Sequence, residues 1–255
     1  MTRTARTILI LAGANAAVYF VVLACWLLRP VVPALADTVS HALVLPAEAS
    51  SLASHPLSFI TYSFTHLSFV HLTVNMLWLA GIGAMLRGTW RQALAVYLSG
   101  AVVGALFFVG YANLTGDTGA TLAGASSAVI AIVTATVIIT PDRRVQLLPG
   151  RRVKLKWIAP VALLTLFTGL DAFSGATAAH LGGFLAGVCL GGAMRRADRL
   201  RSRRAARRSL QCAISSARRR LLLDKAAVSG FASLSDSERR ELFDMTSRIS
   251  KNIIS

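Results

Sequence analysis

Residues 64–85 read FTHLSFVHLTVNMLWLAGIGAM. The second half could enter a bilayer, yet the first half carries His66, His71 and Asn75. His71 and Asn75 are four apart and therefore face the same way on a helix. Ionisable groups in membrane spans are scarce and point to function by default. What this polar face serves depends on the apolar runs around it.

The 255-residue chain is 55% hydrophobic and 15% charged, with a mean hydropathy of +0.60. Soluble domains carry about a quarter charged residues, so the composition is that of an integral membrane protein. A span needs about 20 apolar residues. Runs of this kind occur at Ile8–Leu28, Phe69–Met85, Ala93–Leu114, Thr121–Thr140, Trp157–Leu170 and Ala176–Met194. The fifth is short, and Lys154 and Lys156 can snorkel to extend it. The first is too long, and lacks a small-residue cleavage site, for a simple signal peptide.

Cations alternate from loop to loop. Arg3 and Arg6 precede the first run, Arg87 and Arg91 follow the second, and Arg143, Arg144, Arg151, Arg152, Lys154 and Lys156 follow the fourth. Segment 29–63 has Arg29 alone, and the loops around Asp117 and Asp171 have no cation. By the positive-inside rule this predicts an all-α membrane protein, a six-helix bundle with both termini in the cytoplasm. A bacterial inner membrane is the expected location. Residues 1–195 are the expected membrane domain, with an outer loop over about 30–65.

Residues 196–255 are the expected basic cytoplasmic tail. From Arg195 onward there are 16 Lys and Arg against six acidic residues. The stretch RRADRLRSRRAARR (195–208) is suited to anionic lipid headgroups. Ser235 and Glu238 stand in capping-box spacing ahead of Leu242, Met245 and Ile249, which predicts a short amphipathic helix over about 236–250. The net charge of +16 follows from this tail and the loop arginines, so nucleic acid is not an expected partner. Cys25, Cys189 and Cys212 lack metal-ligand spacing, and no metal or cofactor is expected. Oligomeric state is not legible here.

On this topology the second, fourth and sixth runs all start at the outer face. His71 and Asn75 open the second. Ser126 lies five residues into the fourth, and His180 four residues into the sixth. At about 1.5 Å per residue the latter two lie some 6–8 Å below their helix starts, so four polar side chains share one depth. The fourth run opens LAGASSAVIAI (122–132), and the sixth opens ATAAHLGGFLAG (176–187). Gly183 and Gly187 form a GxxxG, which lets helix backbones approach closely. Close approach is what a Ser–His hydrogen bond across two helices requires.

These features together resemble the rhomboid family of intramembrane serine proteases. The resemblance rests on His66-x4-His71-x3-Asn75, on Gly124-Ala125-Ser126, and on Ala179-His180-x2-Gly183-x3-Gly187, in this order over about residues 5–195. It implies Ser126 as nucleophile and His180 as general base. His71, Asn75 and the Ser126 backbone N–H would hold the oxyanion, with His66, Gly124, Gly183 and Gly187 as structural support. The implied substrates are transmembrane proteins, cut in or beside their helices. No acidic residue lies inside an apolar run, so the expected unit is a Ser–His dyad. The same absence excludes an aspartyl mechanism, and the lack of HExxH excludes a zinc protease.

The chain departs from the family pattern at Ser127, where many members have glycine, and at Ile130, where well-known members carry tyrosine. The outer loop lacks a Trp-Arg pair, and Arg87 or a neighbour stands where a glutamate is often found. Two rival readings remain at this level. One is a catalytically silent rhomboid-like scaffold or chaperone that binds membrane helices. The other is a small transporter, which would bring inverted repeats or membrane carboxylates that are not seen.

Overall fold

A computed structural model describes residues 1–148, 151–158, 160 and 174–254. The chain divides into two compact units, Met1–Arg195 and Arg196–Ser255.

In the first unit, helix α1 (Arg3–Leu27) starts at Thr2, whose side chain accepts from the Ala5 N–H. The segment between α1 and α5 is largely structured. It contains α2 (Pro33–Leu43), strand β1 (Leu45–Pro46), α3 (Ala49–Ser54) and α4 (Ser58–Thr61). A 3-10 turn over Tyr62–Phe64 leads to α5 (Phe69–Gly81) and a second 3-10 turn over Gly83–Met85. The path bends by 94° between Ser58–Phe64 and Phe69–Met85. Helix α6 (Trp90–Thr115) opens on a capping box of Thr89 and Gln92 and stops at Gly116 in the left-handed region. Strand β2 (Thr121–Leu122) then pairs antiparallel with β1, Leu45 opposite Leu122 and Pro46 opposite Thr121.

Helix α7 (Ser126–Ile139) follows. Strands β3 (Arg144–Leu148) and β4 (Arg151–Lys154) pair as an antiparallel hairpin in the arginine-rich loop. Helix α8 (Gly175–Ser229) contains the sixth apolar run and continues into the tail.

Among the described residues, three helices are long and apolar enough to cross a membrane: α1, α6 and α8. Counting the bent pair around α5 as one span gives four. Helix α7 is apolar but only 14 residues long. The predicted fifth span, Trp157–Leu170, lies outside the described residues except at its first positions.

One expectation is corrected, and two features are added to the sequence reading. The fourth apolar run does not begin as helix at Thr121, because residues 121–122 are strand and Gly124 takes φ +131°. Ser126 is therefore the first residue of α7 rather than five residues in. Nothing in MRRADRLRSRRAARR breaks a helix, and α8 runs through it. Two small antiparallel pairs, β1 with β2 and β3 with β4, accompany the expected helices.

Helix α7 is the centre of the first unit. Every residue from Ser126 to Thr136 is buried, and a helix apolar all round must be enclosed by others. Glycines permit that enclosure. A Cβ on Gly100 of α6 would lie 2.5 Å from Ala131 Cβ, and one on Gly104 would lie 2.6 Å from Ser127 Cβ. On α8, a Cβ on Gly183 would strike the Ser127 carbonyl oxygen, and one on Gly187 would lie 2.6 Å from that of Ala131. Two helices thus meet α7 at backbone distance.

The second unit has a small core of Leu222, Leu234 and Leu242. Helix α9 (Asp236–Ile254) starts with the predicted capping box: the Ser235 N–H donates to Glu238 Oε2 at 2.8 Å, and the Glu238 N–H to Ser235 Oγ at 3.2 Å. Leu242 is buried and Met245 half-buried, while the side chain of Ile249 lies outside the described residues. Lys225 bonds Glu238 at 2.9 Å, and Arg218 bonds Glu241 at 3.3 Å. The Lys225 hydrogen bond, with a second from the Ser235 N–H, holds the Glu238 carboxyl down at about 2.

Candidate active site

Ser126 owes its position to a chain break. Gly124 at φ +131° occupies a region that L side chains rarely adopt. A Cβ there would also lie 2.5 Å from His71 Cε1. Glycine is thus needed twice, for the turn and for the imidazole that lies against it. The turn delivers Ser126 to the N-terminus of α7, where Ala125 is the N-cap and has no side chain to bond the first-turn N–H groups. Those donors are left for another acceptor, and a helix N-terminus favours negative charge.

His180 comes from the first turns of α8. Its Nε2 lies 2.7 Å from Ser126 Oγ, and both side chains are buried. The partners are 54 residues apart in sequence. They meet because Gly183 lets the two backbones touch one turn further along. An imidazole nitrogen at this distance can accept the hydroxyl proton, which is what makes a serine nucleophilic.

Helix α5 supplies the other polar groups. Asn75 is fully buried, and its Nδ2 donates to the His71 carbonyl at 2.9 Å. That bond uses one of the two amide hydrogens. The rings of His66 and His71 meet edge to face with centroids 5.3 Å apart. His66 Nε2 accepts the Ala125 N–H at 3.4 Å. His66 thus touches the turn before Ser126, and His71 touches Gly124. Gly187 lies against Ala131 and Thr134, further down α7. His66, His71, Gly124, Ser126, His180 and Gly183 therefore meet at the N-terminal end of α7, with Asn75 bonded to His71 and Gly187 packed further down the helix.

Sequence reasoning missed the residues behind that end. Tyr62 lies in the irregular segment before His66, where no periodicity marks it. Its hydroxyl bonds the Ala101 carbonyl at 2.7 Å and Ser127 Oγ at 2.8 Å. Tyr97 is also buried: its hydroxyl donates to the Ser63 carbonyl at 2.8 Å and accepts from Asn15 Nδ2 at 3.0 Å. Gly100 and Gly104 could have been found, because they repeat in α6 the small-residue spacing noted in α8. Among the described residues, no group of three or more His, Cys, Asp or Glu is placed to hold a metal ion.

No curated protein matches the chain. The family model described as Rhomboid domain matches residues 53–197, more than half of the chain, and these residues span α4 to the start of the basic stretch with every site residue named above. The chain is a member of the rhomboid family.

Proposed function

We propose that the protein is an intramembrane serine endopeptidase working through Ser126 and His180. The observation that carries this is the 2.7 Å contact between Ser126 Oγ and His180 Nε2. His180 takes the Ser126 proton as Oγ bonds to the carbonyl carbon of a substrate peptide. The tetrahedral oxyanion is held by the Ser126 N–H, His71 and Asn75. As the C–N bond breaks, His180 gives the proton to the departing amine. Water then attacks the acyl ester by the same route in reverse, releasing the acid and restoring Ser126.

The substrate is a transmembrane segment of another protein, opened locally, since a helical backbone offers no free carbonyl. With six spans and both termini cytoplasmic, the cut falls near the outer end of the substrate helix. The deciding experiment is cleavage of a tagged single-span substrate by the purified protein in detergent, with fluorophosphonate labelling of Ser126. Cleavage and labelling by the wild type alone support the reading. A serine inert to both overturns it in favour of a silent helix-binding scaffold.

Within the same assay, His71→Ala and Asn75→Ala should each lower kcat by about 10²–10³-fold while KM changes little. Oxyanion donors act on the transition state more than on the bound substrate. A rise in KM at constant kcat would place these side chains in substrate binding instead.

The tail partner we propose is anionic lipid. Residues 195–208 hold eight arginines and one acidic residue, Asp198, and each cation near an anionic surface contributes about 1 kcal/mol. In nanodiscs, trypsin should cut this stretch several-fold more slowly with anionic than with neutral lipid. High salt should abolish the difference. Equal cutting in both lipids would refute lipid contact.

A further inference from the structure

We propose that Tyr62 is a positioning residue for Ser126, acting from outside the dyad and coupled to it through Ser127. The proposal rests on Ser126 being the nucleophile. Tyr62 is fully buried and touches the nucleophile turn on both sides. Its backbone carbonyl accepts the Gly124 N–H at 3.0 Å, two residues before Ser126. Its hydroxyl lies 2.8 Å from Ser127 Oγ, one residue after. Four residues along, His66 Nε2 accepts the Ala125 N–H. The segment 62–66 therefore grips residues 124, 125 and 127 and leaves 126 between them.

The direction of the hydroxyl chain follows from proton counting. Tyr62 has one hydroxyl proton, and the Ala101 carbonyl 2.7 Å away can only accept. Ser127 must then donate to the Tyr62 oxygen, giving a chain from Ser127 through Tyr62 to Ala101. That chain commits the Ser127 hydroxyl to α6 and keeps it from competing for His180. Gly104 makes room for it, since a Cβ there would lie 2.7 Å from Ser127 Oγ. Such a brace has work to do here: the turn is loosened by Gly124, and Ala125 provides no side-chain cap. A glycine at 127 would leave the Tyr62 hydroxyl bonded to the Ala101 carbonyl alone.

The test compares Tyr62→Phe, Ser127→Ala and the double variant with Tyr97→Phe as control. Tyr97 is as buried as Tyr62 and also bonds the 62–64 segment, through the Ser63 carbonyl. Its hydroxyl bonds Ser63 and Asn15, and among the described residues it makes no hydrogen bond to residues 124–127. Per mole of folded protein, Tyr62→Phe should slow fluorophosphonate labelling of Ser126 and kcat by about tenfold, the equivalent of one buried hydrogen bond, with KM unchanged. Ser127→Ala should match it, and the double variant should be no slower than either single. Hydrogen exchange of the peptide 121–128 should quicken in these variants. Tyr97→Phe should lower the melting temperature without changing labelling or that exchange.

Wild-type labelling with equal labelling by Tyr62→Phe would overturn the positioning role and leave the protease reading intact. Additive losses in the double variant would overturn the coupling through Ser127. A wild type that never labels would remove the nucleophile and this proposal with it, a different result from either.

Discussion

Ser126→Ala and His180→Ala should each lower turnover of a single-span substrate by about 10⁴-fold or more, and the double variant should be no slower. The two side chains act as one unit through a single 2.7 Å contact. Removing the hydroxyl leaves the imidazole nothing to activate, and removing the imidazole leaves the hydroxyl protonated. Losses in such units are far from additive. The measurement is single-turnover cleavage in detergent at matched folded concentrations. Activity in Ser126→Ala within about tenfold of the wild type would show that a different group attacks. Ser127, whose hydroxyl is engaged by Tyr62, would be the first alternative to test.

A methyl group at Gly183 should also slow cleavage, although Gly183 touches no substrate. Its Cβ would overlap the Ser127 carbonyl oxygen and lie 2.7 Å and 2.8 Å from the carbonyl carbon and Cα. These are backbone atoms of a helix buried on all sides, so no rotamer change relieves the overlap. Helix α8 must move away from α7 and take His180, one turn away, with it. A displacement near 1 Å at reacting groups can cost about 10²-fold in rate. Gly183→Ala should therefore lower kcat by about that factor, and Gly183→Val should abolish cleavage. Gly192, in the same helix, has nothing within 4 Å of its Cβ position. Gly192→Ala should leave activity unchanged, which separates helix propensity from close packing. Full activity in Gly183→Ala would mean that the two helices can part without disturbing the dyad.

How far the sequence could lead depends on which physics placed each residue. The apolar runs announced α1, α6 and the first part of α8, because water exclusion demands long apolar stretches. His180 and Gly183 announced the meeting of α8 and α7, because an ionisable group beside a small-residue face is rare in a membrane. The start of α7 was misread by five residues. Thr121 and Leu122 are as apolar as a span, but their backbone pairs with Leu45 and Pro46, a contact between distant segments that local pattern does not encode. Tyr62 was invisible for the same reason. Its partners, Ala101, Gly124 and Ser127, are 39 to 65 residues away. The extension of α8 past Met194 was not legible, since the arginine-rich stretch has no apolar period to mark a helix.

The separation of Ser126 from His180 along the chain also has a bearing on synthesis. A ribosome adds roughly 5–20 residues per second, so the 54 positions between them take several seconds to make. During that interval the serine exists without its base. On the protease reading, the nascent protein and its truncated fragments stay harmless to neighbouring membrane proteins until the last apolar segment is in place.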